Sequence, residues 1–110
     1  MTYVFDLDNT LCKTIGSDYS NSTPLTERIE YVNSLYNSGN TIIIHTARGM
    51  GSSKNNQIEA INRYYLLTKT QLEKWGLKHH SLILGKPSGD FYIDDKGVKD
   101  EDFFRANLRS

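Results

Sequence analysis

The sequence predicts a single α/β domain over residues 1–110, with a short parallel sheet and helices on both faces. Short apolar runs alternate with stretches of helical periodicity, which is the order typical of βαβ units. The predicted strands end in charged or hydroxyl residues, and parallel sheets carry their sites at the carboxyl ends of strands. A length of 110 residues fits one domain rather than two.

The first half of the chain supplies two strands and one helix. Residues 2–7 (TYVFDL) are apolar and β-branched or aromatic, which predicts a buried strand. Residues 13–23 are polar and predict a loop. Pro24 is expected to open a helix that stops at Gly39, because apolar residues recur between them at helical spacing. Residues 41–45 (TIIIH) predict a second strand, covered on both faces.

The second half continues the alternation. A Gly- and Ser-rich loop is expected over residues 46–56, and a helix follows that ends at Gly76. Its expected buried stripe is Ile58, Ile61, Tyr65, Thr68, Leu72 and Trp75. Residues 81–85 predict a third strand and residues 91–94 (FYID) a fourth. A short C-terminal helix is expected around Phe103, Phe104 and Leu108.

Charge and composition exclude several classes of protein. Thirteen Lys and Arg balance thirteen Asp and Glu, so the basic surface of a nucleic-acid binder is missing. No apolar run approaches the length of a membrane span, and the first residues lack the order of a signal peptide. One cysteine rules out an internal disulfide framework. We therefore expect a cytoplasmic protein with neither a membrane nor a nucleic-acid partner.

Acidic residues are expected to gather at the carboxyl edge of the sheet. The predicted set comprises the carboxylates Asp6, Asp8, Asp94 and Asp95, the hydroxyl of Thr46 and the ammonium of Lys86. Carboxylates this close repel one another unless they share a cation or a proton. Hard oxygen ligands favour Mg²⁺, which is usually held by one or two carboxylates together with a phosphate. The edge therefore predicts a magnesium and phosphate site, with Thr46 and Lys86 binding the phosphate.

The spacing of the first two aspartates suggests how they divide the chemistry. Residues i and i+2 share one side of an extended chain, so Asp6 and Asp8 can face one substrate. Asp6, directly after the strand, is the expected nucleophile at phosphorus. Asp8, on the following turn, is the expected general acid and base. Arg48, Asn9 and Thr10 are the candidate contacts to the rest of the substrate.

Several neighbouring residues admit other interpretations. Asp90 could replace Asp95 as the partner of Asp94, but it precedes the predicted fourth strand and should lie at its far end. Cys12 is expected to be a packed small side chain. A zinc site that combines His79 and His80 with Cys12 and His45 has no supporting ligand spacing.

These motifs, in this order, resemble those of the haloacid dehalogenase superfamily of phosphotransferases: DLDNT (6–10), a strand ending in Thr46, Lys86, and IDD (93–95). The resemblance implies a Rossmann-like domain in which Asp6 forms an aspartyl-phosphate and the Asp8 carbonyl joins the Mg²⁺ shell. HTARGM (45–50), GKP (85–87) and FYIDDK (91–96) are similar to small phosphatases of capsule and surface-polysaccharide biosynthesis. These phosphatases lack a cap domain. The likeness to them implies a small sugar or polyol phosphate as substrate. Loops 13–23 and 47–56, or a second subunit of a homo-oligomer, would then serve as the lid.

Three competing functions stay open at this point. A receiver domain carries similar residues in a different order, with its acidic pair first. A phosphatase of nucleic-acid ends would need more basic surface. A non-catalytic binding module would have no need for the full set of catalytic residue types.

Overall fold

The structure, a computed structural model, describes residues 1–108 and has a three-stranded sheet at its centre. In chain order its elements are β1 (Thr2–Phe5), β2 (Cys12–Lys13), a 3₁₀ turn (Tyr19–Asn21), β3 (Thr23–Pro24), α1 (Thr26–Asn37), β4 (Thr41–Thr46), α2 (Gln57–Lys74), β5 (Ser81–Leu84) and α3 (Asp100–Asn107). The sheet has the order β1-β4-β5 and is parallel throughout. The predicted class, a small α/β domain with a short parallel sheet, is confirmed.

The core lies on one side of the sheet. The strand register places Phe5 beside Ile44 and Ile44 beside Leu82, and this side packs against the helices. The buried apolar residues that the helices contribute to it are Ile29, Val32, Leu72 and Phe104. On the opposite side Val4 is 62% and Ile83 44% exposed. The helices therefore gather on the first side, which differs from the predicted cover on both faces.

The segment between β1 and α1 forms a small antiparallel hairpin. Cys12 pairs with Pro24 and Lys13 with Thr23, so Pro24 lies in β3 rather than in the first turn of a helix. The prediction that Pro24 opens the helix was wrong, because this long-range pairing leaves no signal in local periodicity. The predicted stop of α1 is confirmed: Gly39 adopts φ +92° and its N–H donates to Tyr36.

Helix α2 begins at Gln57, directly after its capping residue Asn56. The Asn56 side chain accepts a hydrogen bond from the Glu59 N–H at the first turn. The buried face, however, is Ala60, Thr68, Gln71 and Leu72. Ile58, at 74% exposed, lies outside the core, as do Ile61 and Tyr65 at 38% each. The predicted stripe is thus correct only for the second half of the helix.

The predicted fourth strand was wrong. Residues 91–94 form no strand, and Phe91 and Ile93 are 85% and 97% exposed. Six residues, 85–90, separate the end of β5 from Phe91, whereas a crossover to another parallel strand takes a dozen or more. The predicted C-terminal helix is confirmed as α3. No helix within residues 1–108 combines the length and the apolar character needed to cross a membrane.

Candidate active site

The turn after β1 presents two carboxylates on one side of the chain. Leu7 is fully buried, whereas Asp6 and Asp8 on either side of it are partly exposed and line a cleft. The Leu7 carbonyl accepts hydrogen bonds from the N–H groups of Thr10, Leu11 and Cys12, at 3.1, 2.8 and 3.3 Å. The buried leucine and its carbonyl therefore fix the turn, and the predicted sharing of one side by Asp6 and Asp8 is found.

Asn9 and Thr10 shape this turn. Asn9 adopts φ +62°, a conformation that asparagine tolerates better than most residues, and its side chain accepts from the Thr14 N–H. The Thr10 hydroxyl donates to Asp6 Oδ2 at 3.4 Å. These contacts hold the turn and the Asp6 carboxylate, and the cleft is lined by other residues. Both residues therefore have a local structural role, and their contact with a substrate stays a prediction.

Lys86 reaches Asp6 from the end of the third strand of the sheet. Its Nζ lies 3.6 Å from Asp6 Oδ1 and 4.2 Å from the centre of the Tyr92 ring. The Lys86 N–H donates to the Thr46 carbonyl, which fixes the start of this segment beside β4. The sequence prediction that Asp6 and Lys86 meet at one edge of the sheet agrees with this placement.

Thr46 lies beneath the cleft. It is fully buried, and its hydroxyl accepts from the Arg48 N–H at 3.2 Å. The cleft lining on this strand begins at Ala47. The contact between the Thr46 hydroxyl and a phosphate stays a prediction.

Arg48 is buried and forms a salt bridge with Asp8. Only 1% of the residue is exposed, and its guanidinium binds both oxygens of Asp8, with Nε 3.0 Å from Oδ2 and Nη2 3.0 Å from Oδ1. Further bonds go to Thr68 and Gln71. The guanidinium is therefore engaged within the protein, although Arg48 also lines the cleft, and its contact with a substrate stays a prediction.

Asp94 and Asp95 do not join the other two aspartates. Both are exposed, in the irregular segment that replaces the predicted fourth strand. The Lys96 N–H donates to Asp94 Oδ1 at 3.1 Å and, as the largest influence, lowers the pKa of Asp94. Within residues 1–108 no three Asp, Glu, His or Cys side chains gather closely enough to hold a metal ion. The predicted set of four carboxylates is therefore not assembled in this structure.

The cleft has a volume of about 410 Å³, which suits a small metabolite. Beside Asp6, Asp8 and Lys86, it is lined by Gly16, Ser17, Tyr19, Ala47, Arg48, Gly51, Ser52, Ser88 and Tyr92. Residues from both loops that were predicted to serve as a lid, 13–23 and 47–56, line the cleft. Tyr19 and Tyr92 were missed as individual residues, because one lay in a featureless polar loop and the other in a predicted strand.

Two groups next to the cleft have shifted pKa values. Burial raises the pKa of the Cys12 thiol, which is fully enclosed, so the predicted role as a packed small side chain agrees with the structure. Burial, followed by the charge of Lys86, lowers the pKa of His45. Neither residue lines the cleft. The polar side-chain atoms of the lining residues are oxygens and the nitrogens of Lys86 and Arg48.

The fold and the cleft together define the class: a small α/β domain whose parallel sheet carries two carboxylates and a lysine at its carboxyl edge. A crystal structure of a structural-genomics target protein from Vibrio cholerae is similar, with 34% identity, 97% of this chain and 89% of that chain covered, and a TM-score of 0.83. The chain belongs to the same family as this Vibrio cholerae protein.

A more distant likeness concerns the fold alone. A chain in a structure of a Pnkp1/Rnl/Hen1 complex is 19% identical, with a TM-score of 0.57. The match covers 98% of this chain and 35% of that one, so the likeness concerns about a third of the larger chain. No protein-family model and no curated protein matches the chain.

Proposed function

We propose that the chain is a magnesium-dependent phosphomonoester hydrolase of the haloacid dehalogenase superfamily, without a cap domain, that works through an aspartyl-phosphate on Asp6. The observation that carries the proposal is the meeting of Asp6, Asp8 and Lys86 in one cleft, with Lys86 Nζ 3.6 Å from Asp6 Oδ1. A nucleophilic carboxylate, a second carboxylate for proton transfer and a cation for phosphate charge are the groups that this chemistry requires.

The proposed reaction uses the two carboxylates in turn. An Asp6 oxygen attacks phosphorus, and the bond from phosphorus to the ester oxygen breaks as the new bond forms. Asp8 donates a proton to the departing alcohol oxygen. Water then attacks the aspartyl-phosphate, Asp8 takes a proton from this water, and the Asp6 carboxylate is restored. Lys86 stabilises the phosphoryl charge throughout.

The fit of a magnesium ion to this cleft is partial. The lining offers carboxylate and hydroxyl oxygens and neither Cys nor His, which is the donor chemistry that Mg²⁺ prefers. Asp6 is 37% exposed at its side chain and would hold the ion, whereas Arg48 already occupies the Asp8 carboxylate and the pair Asp94-Asp95 lies apart. When bound, the ion would neutralise charge on the phosphoryl oxygens.

The size and character of the cleft favour a small neutral substrate beyond its phosphate. Ser17, Ser52 and Ser88 offer hydroxyl groups, and Lys86 is the partly exposed cation of the lining. A sugar or polyol phosphate suits this set. A nucleic-acid end would add phosphates that need further cations, and the chain's charges balance.

Phosphate release with and without Mg²⁺ tests the proposal. The panel comprises sugar phosphates, glycerol phosphate, 4-nitrophenyl phosphate and an oligonucleotide with a terminal phosphate. Asp6→Asn keeps the shape and removes the nucleophile, so turnover should fall by at least about a thousandfold. The matched control is Asp18→Asn, an exposed aspartate that bonds Asn21 outside the cleft and should leave turnover unchanged.

The same experiment separates the competing functions. Many phosphates released per protein molecule exclude a receiver domain, which is phosphorylated once. Preferred turnover of the oligonucleotide would favour a nucleic-acid end phosphatase instead. Near-normal turnover by Asp6→Asn, or no turnover by the wild-type chain on any substrate, would contradict the proposed hydrolase.

A further inference from the structure

Arg48 is a buried cation with one carboxylate partner. Its side chain is fully enclosed, and within residues 1–108 Asp8 is the acidic residue that forms a salt bridge with it. Removing a guanidinium from water costs several kcal/mol, about as much as a good ion pair returns. A group buried at such a cost constrains its partner strongly, because breaking the pair leaves a buried charge uncompensated.

The contacts of Asp8 distinguish its two oxygens. Oδ1 accepts from the Thr14 hydroxyl at 2.6 Å and from Arg48 Nη2 at 3.0 Å. Oδ2 accepts from Arg48 Nε at 3.0 Å. Oδ1 is thereby held from two directions, and Oδ2, with one partner, is the oxygen that keeps more accepting capacity.

The far side of the guanidinium is bonded to two other parts of the chain. Arg48 Nη1 donates to Thr68 and Gln71 on α2, at 3.1 and 2.5 Å. Nη2 lies 3.3 Å from the Ser22 hydroxyl, and the guanidinium carbon lies 4.9 Å from the centre of the Tyr19 ring. The same side chain therefore joins helix α2, the loop between β2 and β3, and Asp8.

We propose that Arg48 is a positioning residue, which orients Asp8 so that Oδ2 meets the leaving oxygen of the substrate and fixes the loop of Tyr19 and Ser22 to that same carboxylate. The inference rests on the proposed hydrolase function. The planar fork of arginine is essential to it, because a lysine ammonium cannot bind both carboxylate oxygens and the α2 side chains together.

The leaving group of the substrate tests this role. Glycerol phosphate expels an alkoxide that needs a proton, whereas 4-nitrophenyl phosphate expels a stable anion that does not. Both substrates form the same aspartyl-phosphate, so the comparison uses kcat/KM, which reports the steps up to departure of the alcohol. A misplaced Asp8 should therefore cost Arg48→Lys about a hundredfold in kcat/KM on glycerol phosphate and less than about fivefold on 4-nitrophenyl phosphate. The matched control is Arg63→Lys on the exposed face of α2, where Arg63 lies 3.8 Å from Glu59 and both rates should stay as in the wild type.

Thermal unfolding would reveal whether Arg48→Lys folds. A second variant tests the same role if it does not. Thr14→Val removes the other bond to Oδ1 and keeps the ion pair, so it should shift the ratio of the two rates in the same direction, by about three- to tenfold. Equal losses on both substrates, in whichever of the two variants folds, would overturn the positioning role while the hydrolase stands. A wild-type chain that releases no phosphate would overturn the proposed function and this inference together.

Discussion

Replacement of Gly49 by alanine tests how tightly the loop beside the cleft is packed. Gly49 follows Arg48 directly and has φ +78°, which side-chain-bearing residues avoid. A Cβ built there would lie 2.6 Å from Tyr64 Cδ2, 2.8 Å from Tyr64 Cε2 and 3.2 Å from Ala60 Cα. The first two distances are far inside van der Waals contact, so the ring or the loop has to move.

The expected loss of stability has two parts. The left-handed backbone costs an alanine about 1–2 kcal/mol. Overpacking against Tyr64 adds about 1–3 kcal/mol, because this ring is itself held edge-on against Tyr19 at 5.0 Å. Gly49→Ala should therefore lower the free energy of unfolding by about 2–5 kcal/mol, a large share of the stability of a small domain.

Gly39→Ala is the matched control. Gly39 also has a positive φ, of +92°, but a Cβ there would meet no atom within 4 Å. This variant should lose only the backbone part. Urea unfolding of both variants gives the contact part by difference, provided that the slope with urea stays constant.

A double variant assigns the contact to its source. In a Tyr64→Ala background the ring is gone, so Gly49→Ala should cost no more than Gly39→Ala does. Equal losses for the two glycine variants in the otherwise wild-type chain would refute the packing argument. A full-sized loss in the Tyr64→Ala background would instead place the conflict with the backbone of Ala60.

Three further predictions concern titration and the metal. Because burial raises the pKa of Cys12, iodoacetamide at about pH 8 should leave the native thiol nearly unmodified and alkylate it in urea, as mass spectrometry would show; rapid native labelling would contradict this. Burial and Lys86 lower the pKa of His45, so the folded state binds a proton at His45 less readily than the unfolded state does. The contribution of neutral His45 to stability is therefore complete above about pH 6.5 and is lost as the pH falls through the lower folded pKa. The urea midpoint should therefore fall less between about pH 7.5 and pH 5.5 in His45→Gln than in the wild type, and equal falls would count against it. The sequence prediction for Asp94 expects Asp94→Asn to raise the Mg²⁺ concentration needed for half-maximal turnover, and an unchanged requirement would remove Asp94 from the site.

The sequence predicted those parts of the fold that depend on neighbours in the chain. The apolar run of β4 and the glycine that stops α1 act locally, and both were found where their patterns indicated. The contact between Asp6 and Lys86 was predicted from a general rule of sheet topology: the carboxyl ends of parallel strands lie at a common edge.

The incorrect predictions concern residues whose structure depends on partners far away in the chain. Thr68 and Gln71 are polar residues on the buried face of α2, and their hydrogen-bond partner is Arg48, 20 and 23 residues earlier. Pro24 belongs to a hairpin because Cys12 pairs with it. Residues 91–94 have the composition of a strand, but the six preceding residues are too few to carry the chain to a parallel partner. Periodicity contains none of this information.

The aromatic cluster that closes the core has a consequence for how the protein is made. Phe103 lies 6.2 Å from Tyr3, 5.7 Å from Phe5 and 6.0 Å from Tyr31, measured between ring centres, so the start of the chain meets α3. Contacts that span a hundred residues form late, because the intervening chain must first be ordered. On a ribosome, β1 can pair with β4 first, but Tyr3 and Phe5 lack their contacts with Phe103 until α3 has left the exit tunnel. Until then the aromatic face of β1 is open to other unfinished chains, and chaperone binding to nascent chains should be strongest over that interval.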